Sequence, residues 1–225
     1  MKVPKSSISI LFFVAFFLFS CQKETINRIS GKGSIANETL ALRSFTEIEV
    51  RGYCNMEVAK GTENKVEYSD YENIIQYLKF EVVGNRLIVK TIPENISISN
   101  SQAKAKVVLT GNLDAVYITG SADVDLLSSF IGLNKLSITG SGNIVSRGTT
   151  TVPSIDCSVT GSGNLSLLKI NSTTAKCAVA GSGNITIAVS GSLNANIVGS
   201  GNIYYQGNPA DIVVNVTGSG KVIKL

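Results

Sequence analysis

The C-terminal half of the chain carries a hydrophobic pattern that repeats about every twenty residues. Aligned on the first glycine of a recurrent Gly-Ser-Gly-Asn motif, six segments follow one another at steps of 20, 21, 20, 18 and 19 residues. This period is too short for a four-stranded propeller blade and fits one coil of a β-helix. The six leading glycines are Gly120, Gly140, Gly161, Gly181, Gly199 and Gly218.

Three positions of every repeat are apolar or small. The first two of these positions are separated by a single residue, and that residue is mostly polar. Apolar and polar residues therefore alternate, as in a β-strand with one buried face. The pattern therefore predicts an all-β fold in which parallel coils stack about 4.8 Å apart between residues 111 and 225. The columns are Val116, Leu136, Cys157, Cys177, Ala195 and Val214; Ile118, Ile138, Val159, Val179, Ile197 and Val216; and Val124, Ile144, Leu165, Ile185, Ile203 and Val222.

The repeated motif itself predicts a tight turn with a structural role. Glycine adopts positive φ readily, and Asn tolerates the left-handed region better than most residues. Asp123 stands at the Asn position of the first repeat and Lys221 at that of the last, and charged ends are expected where a stack must stop. Between them, side-chain amides in register can hydrogen-bond from coil to coil. This predicted ladder consists of Asn143, Asn164, Asn184 and Asn202.

Residues 43–110 have a less regular pattern and are predicted to form an irregular β region that caps the solenoid. A Gly84-Asn85 turn between two apolar runs predicts a hairpin. The predicted strands are 47–50, 55–59, 65–68, 80–83 and 86–90, with a short helical turn over 72–77 and a loop or edge segment over 93–102.

The first twenty residues have the form of an export signal, with Lys2 and Lys5 ahead of an apolar stretch that is shorter than a typical membrane-spanning helix. Leu18-Phe19-Ser20-Cys21 resembles a bacterial lipobox, in which Cys21 is acylated. The alternative is an ordinary signal peptide. Residues 21–42 are then a lipid-anchored tether, and we expect an outer-membrane lipoprotein at the cell surface or facing the periplasm.

Composition excludes some kinds of site. The chain has no His, a net charge of +4 that falls by two when the leader is removed, and scattered basic residues, so no nucleic-acid surface is predicted. No Cys/His cluster is present to hold zinc, and no cofactor is predicted. Cys157 and Cys177 share an inward column, where we favour buried free thiols over a disulfide.

Three further features resemble a known family when taken together. They are the segment Arg43-Ser-Phe-Thr-Glu-Ile-Glu-Val-Arg-Gly52, the hairpin around Gly84-Asn85 and the repeated Gly-Ser-Gly-Asn turns. They resemble the putative auto-transporter adhesin head GIN domain, a family common among Bacteroidetes lipoproteins, over about residues 43–225. The resemblance implies a right-handed parallel β-helix and a role in adhesion, and it brings no catalytic residues. Ala122-Asp123 departs from the Gly-Asn of the other turns.

Four side chains are candidates for function. Asp123 and Asp125 have the same strand parity, so they could supply the paired carboxylates of a glycosidase or hold a weak calcium ion, although solvated turn residues are the simpler interpretation. Tyr204 and Tyr205 are candidate sugar or protein contacts, unless they pack on a neighbouring coil. We expect a non-enzymatic adhesion or ligand-binding module for glycan or protein. A structural envelope protein and a carbohydrate-active enzyme are the alternatives.

Overall fold

The computed structural model describes residues 27–93 and 95–225, where the chain forms nineteen β-strands and one 3-10 turn, Ile75–Tyr77. Cys21 and the predicted leader lie outside the described residues. Within them, no helix has the length and apolarity needed to cross a bilayer. The N-terminal strands are β1 (Asn27–Ser30), β2 (Ile35–Ala41), β3 (Glu47–Gly52), β4 (Asn55–Lys60), β5 (Lys65–Tyr71), β6 (Leu78–Val83), β7 (Arg86–Thr91), β8 (Ile96–Ser99) and β9 (Lys104–Leu109).

From β10 onward the chain winds into six parallel coils, which confirms the predicted solenoid. Equivalent residues pair in register from coil to coil, so that Cys157 lies beside Cys177 and Gly161 beside Gly181. The predicted columns form the core, with Leu136, Ile144 and their equivalents in the inner coils almost fully buried. The strands are β10 (Ala115–Gly120), β11 (Asp123–Leu126), β12 (Lys135–Gly140), β13 (Asn143–Ser146), β14 (Thr150–Gly161), β15 (Asn164–Gly181), β16 (Asn184–Gly199), β17 (Asn202–Gln206), β18 (Asp211–Gly218) and β19 (Lys221–Lys224).

The two glycines of each turn have different roles. Gly161 has φ +120°, the left-handed region that side chains resist. Gly163 has no such φ, but a Cβ there would lie 2.2 Å from the carbonyl oxygen of Gly142 in the coil before. The expectation of a left-handed Asn was wrong: Asn164 begins a strand, and Asn100 is the only described non-glycine residue with positive φ. The glycines make the turn alone, which leaves the Asn side chain to link the coils.

The N-terminal strands do not stack in the order of the sequence. Strand β3 pairs in parallel with both β7 and β10, and β4 pairs in parallel with both β9 and β11. The level made by β3 and β4 is therefore inserted between the level of β7 and β9 and the first regular coil. The region predicted as a cap supplies two levels of the stack as well as a cap.

The N-terminal end of the stack is closed by antiparallel strands. Strand β6 pairs with β7 in the predicted hairpin, while β5 pairs with β9 and β2 pairs with β5. Strands β1 and β8 form a separate parallel pair. Both β1 and β2 lie within the segment 21–42 that the sequence indicated as a tether. Strand β2 has an exposed edge position, with Ile35 and Leu40 42% and 40% exposed, so it lacks the buried alternation that marks a strand in sequence.

The last level of the stack that the structure describes is exposed on its outer side. Ile212, Val214 and Val216 in β18 continue the inward columns of the coil before, yet they are 43%, 46% and 40% exposed. Their neighbours Leu193 and Ile197 are at most 1% exposed. No described residue covers this last level.

Candidate functional site

Two rows of outward-pointing residues cross the sheet face that contains β4 and β11. The rows are outward because their members alternate with the buried column of Met56, Val124 and Ile144. Through the pairings of the strands, the first row runs Asn55, Asp123, Asn143, Asn164, Asn184, Asn202 and Lys221. The second row runs Glu57, Asp125, Val145, Ser166, Thr186, Tyr204 and Ile223.

The first row is a continuous hydrogen-bond ladder. The amide Nδ2 of Asn143 donates to Asp123 Oδ1 at 2.7 Å, and Asn164, Asn184 and Asn202 each donate to the Asn before them at 2.9, 3.0 and 3.2 Å. Backbone N–H groups of the next coil donate to the same oxygens in most steps, as Lys221 does to Asn202 at 3.0 Å. Each amide therefore fastens its coil to the coil on either side.

The ladder has one more member than the repeats predicted. The backbone N–H of Asp123 donates to Asn55 Oδ1 at 2.9 Å, because Gly52 pairs with Gly120 and places Asn55 at the Asn position of an earlier turn. That turn reads Gly52-Tyr53-Cys54-Asn55, which keeps only the first and last residues of the motif. A search for Gly-x-x-Asn after an alternating strand would have found it.

Beside the rows lies a trough made of two adjoining cavities that share Asp123 and Asp125. The first cavity has a volume of about 620 Å³ and is bounded by β2, β5, β9, β4 and β11. The second, about 530 Å³, follows the coils as far as Tyr204. The trough thus runs along this sheet face from the cap across most of the solenoid.

Charged side chains are concentrated at the cap end of the trough. Glu38, Glu57 and Glu67 line it together with Lys104 and Lys106. A hydrogen bond from Lys65 lowers the pKa of Glu67 below its ordinary value, so this exposed carboxylate stays ionised.

A tyrosine in the same cavity has an altered acidity. Tyr68 donates a hydrogen bond to Glu38, and burial, followed by that hydrogen bond and the nearby negative charge, raises the pKa of Tyr68 to about 12. Its ring also packs on Phe80, with centroids 4.6 Å apart. The neutral phenol is therefore the form present at physiological pH.

The two candidate carboxylates lie in the trough, where both already have partners. Asp123 accepts hydrogen bonds from the backbone and side chain of Asn143 at 3.0 and 2.7 Å. Asp125 pairs with Arg147 at 2.9 Å. Among the described residues, no group of three or more potential metal-ligating side chains is close enough to hold an ion.

The two candidate tyrosines do not form one surface. Tyr204 lines the second cavity beside Thr186, whereas Tyr205 packs against the hydrophobic core. Both side chains are half-buried. Strand alternation explains the difference, because Tyr205 has the same parity as the buried Ile203.

The three cysteines in the described part of the chain are free and buried. Burial raises the pKa of Cys54 to about 12. The hydrogen bond with Cys177, and then burial, raise the pKa of Cys157 well above its ordinary value. All three thiols therefore lie in the interior, away from the trough.

Comparison with known proteins identifies the family to which this chain belongs. A family model described as "Putative auto-transporter adhesin, head GIN domain" matches residues 44–209. The chain belongs to this family. No match was found among curated proteins.

Solved structures share the fold of this head GIN domain chain. It is similar to a "putative adhesin" of Bacteroides fragilis, with a TM-score of 0.65 and 18% identity, and to a "putative adhesin" of Parabacteroides merdae, with a TM-score of 0.58 and 19% identity. It is also similar to a "putative lipid binding protein" of Parabacteroides distasonis, with a TM-score of 0.59 and 24% identity. These matches cover 88% or 89% of this chain and all of the other chain. Family and neighbours together indicate an adhesin-like protein of the cell surface or envelope.

Proposed function

We propose that this protein is a lipid-anchored adhesion module that binds an extended glycan along the trough. The observation that carries the proposal is the row of ladder amides beside the second cavity. Each Asn amide has two N–H hydrogens, and the ladder uses one of them. The ladder does not use the other N–H of Asn143, Asn164 and Asn184, and these three amides line the second cavity at a repeat of about 4.8 Å.

The rest of the trough supplies the other contacts that a sugar chain needs. Carboxylates at the cap end accept hydrogen bonds from sugar hydroxyls, and Tyr204 offers a ring face at the other end. An open, polar groove several coils long matches a chain of sugars better than a compact ligand. The acids Asp123 and Asp125 already hold Asn143 and Arg147, which supports binding rather than acid-base catalysis.

A glycan array probed with the purified protein tests this proposal. We expect binding to a polysaccharide or oligosaccharide, and about fivefold weaker binding for Tyr204→Ala, since an aromatic contact contributes about 1 kcal/mol. Tyr117→Ala is the matched control, because Tyr117 is also half-buried but lies on the β10 face beneath Arg86.

Three outcomes contradict the proposal. A purely structural envelope protein would bind no glycan on the array at all. Equal loss of binding in Tyr204→Ala and Tyr117→Ala would remove the trough as the site. A protein ligand would show itself as binding that survives removal of glycans from the target surface.

The proposed anchor on Cys21 has its own test. Cells grown with labelled palmitate should incorporate label into the protein and lose it on Cys21→Ser. Protease treatment of intact cells then reports the side of the outer membrane, because a surface-exposed domain is digested without lysis. Retention of label in Cys21→Ser would refute acylation at this residue.

A further inference from the structure

The ladder side of the second cavity offers hydrogen-bond donors rather than acceptors. The side-chain oxygens of Asn164 and Asn184 each accept two hydrogen bonds, one from the backbone N–H and one from the amide of the Asn in the next coil. A carbonyl oxygen has two lone pairs, so neither oxygen has acceptor capacity left. Each Nδ2 group, in contrast, gives only one of its two hydrogens to the ladder. A ligand along these amides therefore meets N–H donors that need an acceptor.

The charge of the trough restricts which acceptors fit. Among the described residues that line it, five carboxylates face three cations. This excess of negative charge repels the carboxylates and sulfates of an acidic polysaccharide. A neutral acceptor, such as an amide carbonyl, meets the same donors without that repulsion. The carboxylates are Glu38, Glu57, Glu67, Asp123 and Asp125, and the cations are Lys104, Lys106 and Arg147.

One apolar side chain interrupts the polar row beside the ladder. Val145 is half-buried, lies two residues after Asn143 on the same face of β13, and pairs with Ser166 of the next coil. Val145, Asn143 and Asn164 all line the second cavity. Two residues along a strand span about 7 Å, so one substituent of a sugar ring reaches both an amide of the ladder and Val145.

We infer that the trough recognises the acetamido groups of an N-acetylhexosamine chain, an inference that rests on the glycan binding proposed above. An acetamido group joins the two required features in one substituent. Its neutral carbonyl accepts a hydrogen bond from the amide of Asn143 or Asn164, and its methyl group packs on Val145. A sugar with a hydroxyl at the same carbon leaves Val145 without an apolar contact.

The linkage of the chain follows from the geometry of the ladder. Its amides lie in register on parallel strands and repeat about every 4.8 Å in one row. Pyranoses joined by β-1,4 linkages form an extended chain, and the distance from one sugar to the next is close to this spacing. Chains with α-1,4 linkages curl and leave a row of this kind after a few sugars. The chain that stays in step with the ladder is therefore β-1,4-linked.

Titration calorimetry of the full protein with matched hexasaccharides tests the inference. The β-1,4-linked hexamer of N-acetylglucosamine should bind about tenfold more tightly than the β-1,4-linked hexamer of glucose, since a hydrogen bond and a methyl contact distinguish them. The α-1,4-linked hexamer of glucose should bind more weakly than either. The β-1,4-linked hexamer of glucosamine has ammonium groups in place of acetamido groups, so it separates acetamido recognition from attraction to the acidic lining.

A substitution at Val145 tests the methyl contact. Val145→Thr replaces one methyl group by a hydroxyl at nearly constant shape. It should weaken binding of the N-acetylglucosamine hexamer about fourfold and leave binding of the β-1,4-linked glucose hexamer unchanged. Val198→Thr is the matched control, because Val198 is 50% exposed in β16 and does not line the trough.

The outcomes separate this inference from glycan binding as such. Equal affinity for the β-1,4-linked hexamers of glucose and N-acetylglucosamine overturns the inference and leaves glycan binding in place. Tighter binding of the glucosamine hexamer, or equal effects of Val145→Thr and Val198→Thr, overturns it as well. An α-1,4-linked glucose hexamer that binds as tightly as the β-1,4-linked one contradicts the linkage. Absence of binding to every glycan on the array removes the proposed function and the inference together.

Discussion

At the scale of single residues, the Gly-Ser-Gly-Asn motif separates into three different requirements. Gly161 supplies a positive φ, Gly163 leaves room for the carbonyl of the coil before, and Asn164 supplies an amide to the ladder. The second requirement is purely steric. It recurs in the coils after the first, where Ala122 holds this position: a Cβ at Gly183, for example, would lie 2.1 Å from the carbonyl oxygen of Gly163.

Gly163→Ala should therefore destabilise the protein by about 3 kcal/mol, because the methyl group meets backbone that cannot move without shifting a coil. Gly84→Ala is the control: Gly84 has φ +61° but no atom within 4 Å of the added Cβ, so only about 1 kcal/mol of backbone strain is expected. Denaturant unfolding measures both. Equal losses would show that the close approach at Gly163 costs no more than the backbone strain at Gly84.

Some of the residue roles follow from sequence and others require the structure. The buried columns were predictable because six repeats report the same face independently. The division between Tyr204 and Tyr205 also follows from strand parity, although adjacent aromatics in sequence suggest one patch. Asn55 was missed because Tyr53 and Cys54 replace the central residues of its turn.

At the scale of elements, the Asn ladder links coils that are otherwise joined by backbone pairing and core contacts. Asn164 makes three bonds through its side chain: it donates to Asn143 and accepts from the amide and the backbone of Asn184. These bonds are half-buried, so water does not fully replace them when one partner is removed. The ladder thus contributes stability at the same strands that line the trough.

Asn164→Ala should lower the free energy of unfolding by about 2 kcal/mol, since a break in the ladder leaves both neighbours short of a partner. Asn164→Asp keeps the acceptor but loses the donor to Asn143, so an intermediate loss is expected. Ser166→Ala is the control, because Ser166 is exposed in the adjacent row of the same strand. Urea titration gives the three values, and a loss in Ser166→Ala as large as in Asn164→Ala would count against the ladder.

At the scale of the whole molecule, the position of a strand in the stack differs from its position in the chain. Strand β3 lies between β7 and β10, although it begins only at residue 47. Strand β2, a few residues earlier, pairs with β5 alone among the described strands. Sequence repeats cannot reveal this order, because β3 and β10 are brought together by pairing across more than sixty residues.

Hydrogen exchange should report the spatial order. Amides of β3 are expected to exchange as slowly as those of the central strand β12, and much more slowly than those of β2, because β3 has a hydrogen-bonded neighbour on both sides. Mass spectrometry of peptides covering 35–41 and 47–52 distinguishes the two. Similar rates for these two peptides would contradict the placement of β3 inside the stack.

The inserted level also has a consequence for biogenesis. A ribosome or export channel delivers β3 and β4 first, but the strands that lie on either side of them arrive only with β7, β9, β10 and β11. The level of β3 and β4 therefore cannot have both of its neighbouring levels until the chain has emerged as far as Leu126. Emergence of β10 and β11 is therefore the earliest point at which β3 and β4 can have both of their neighbours.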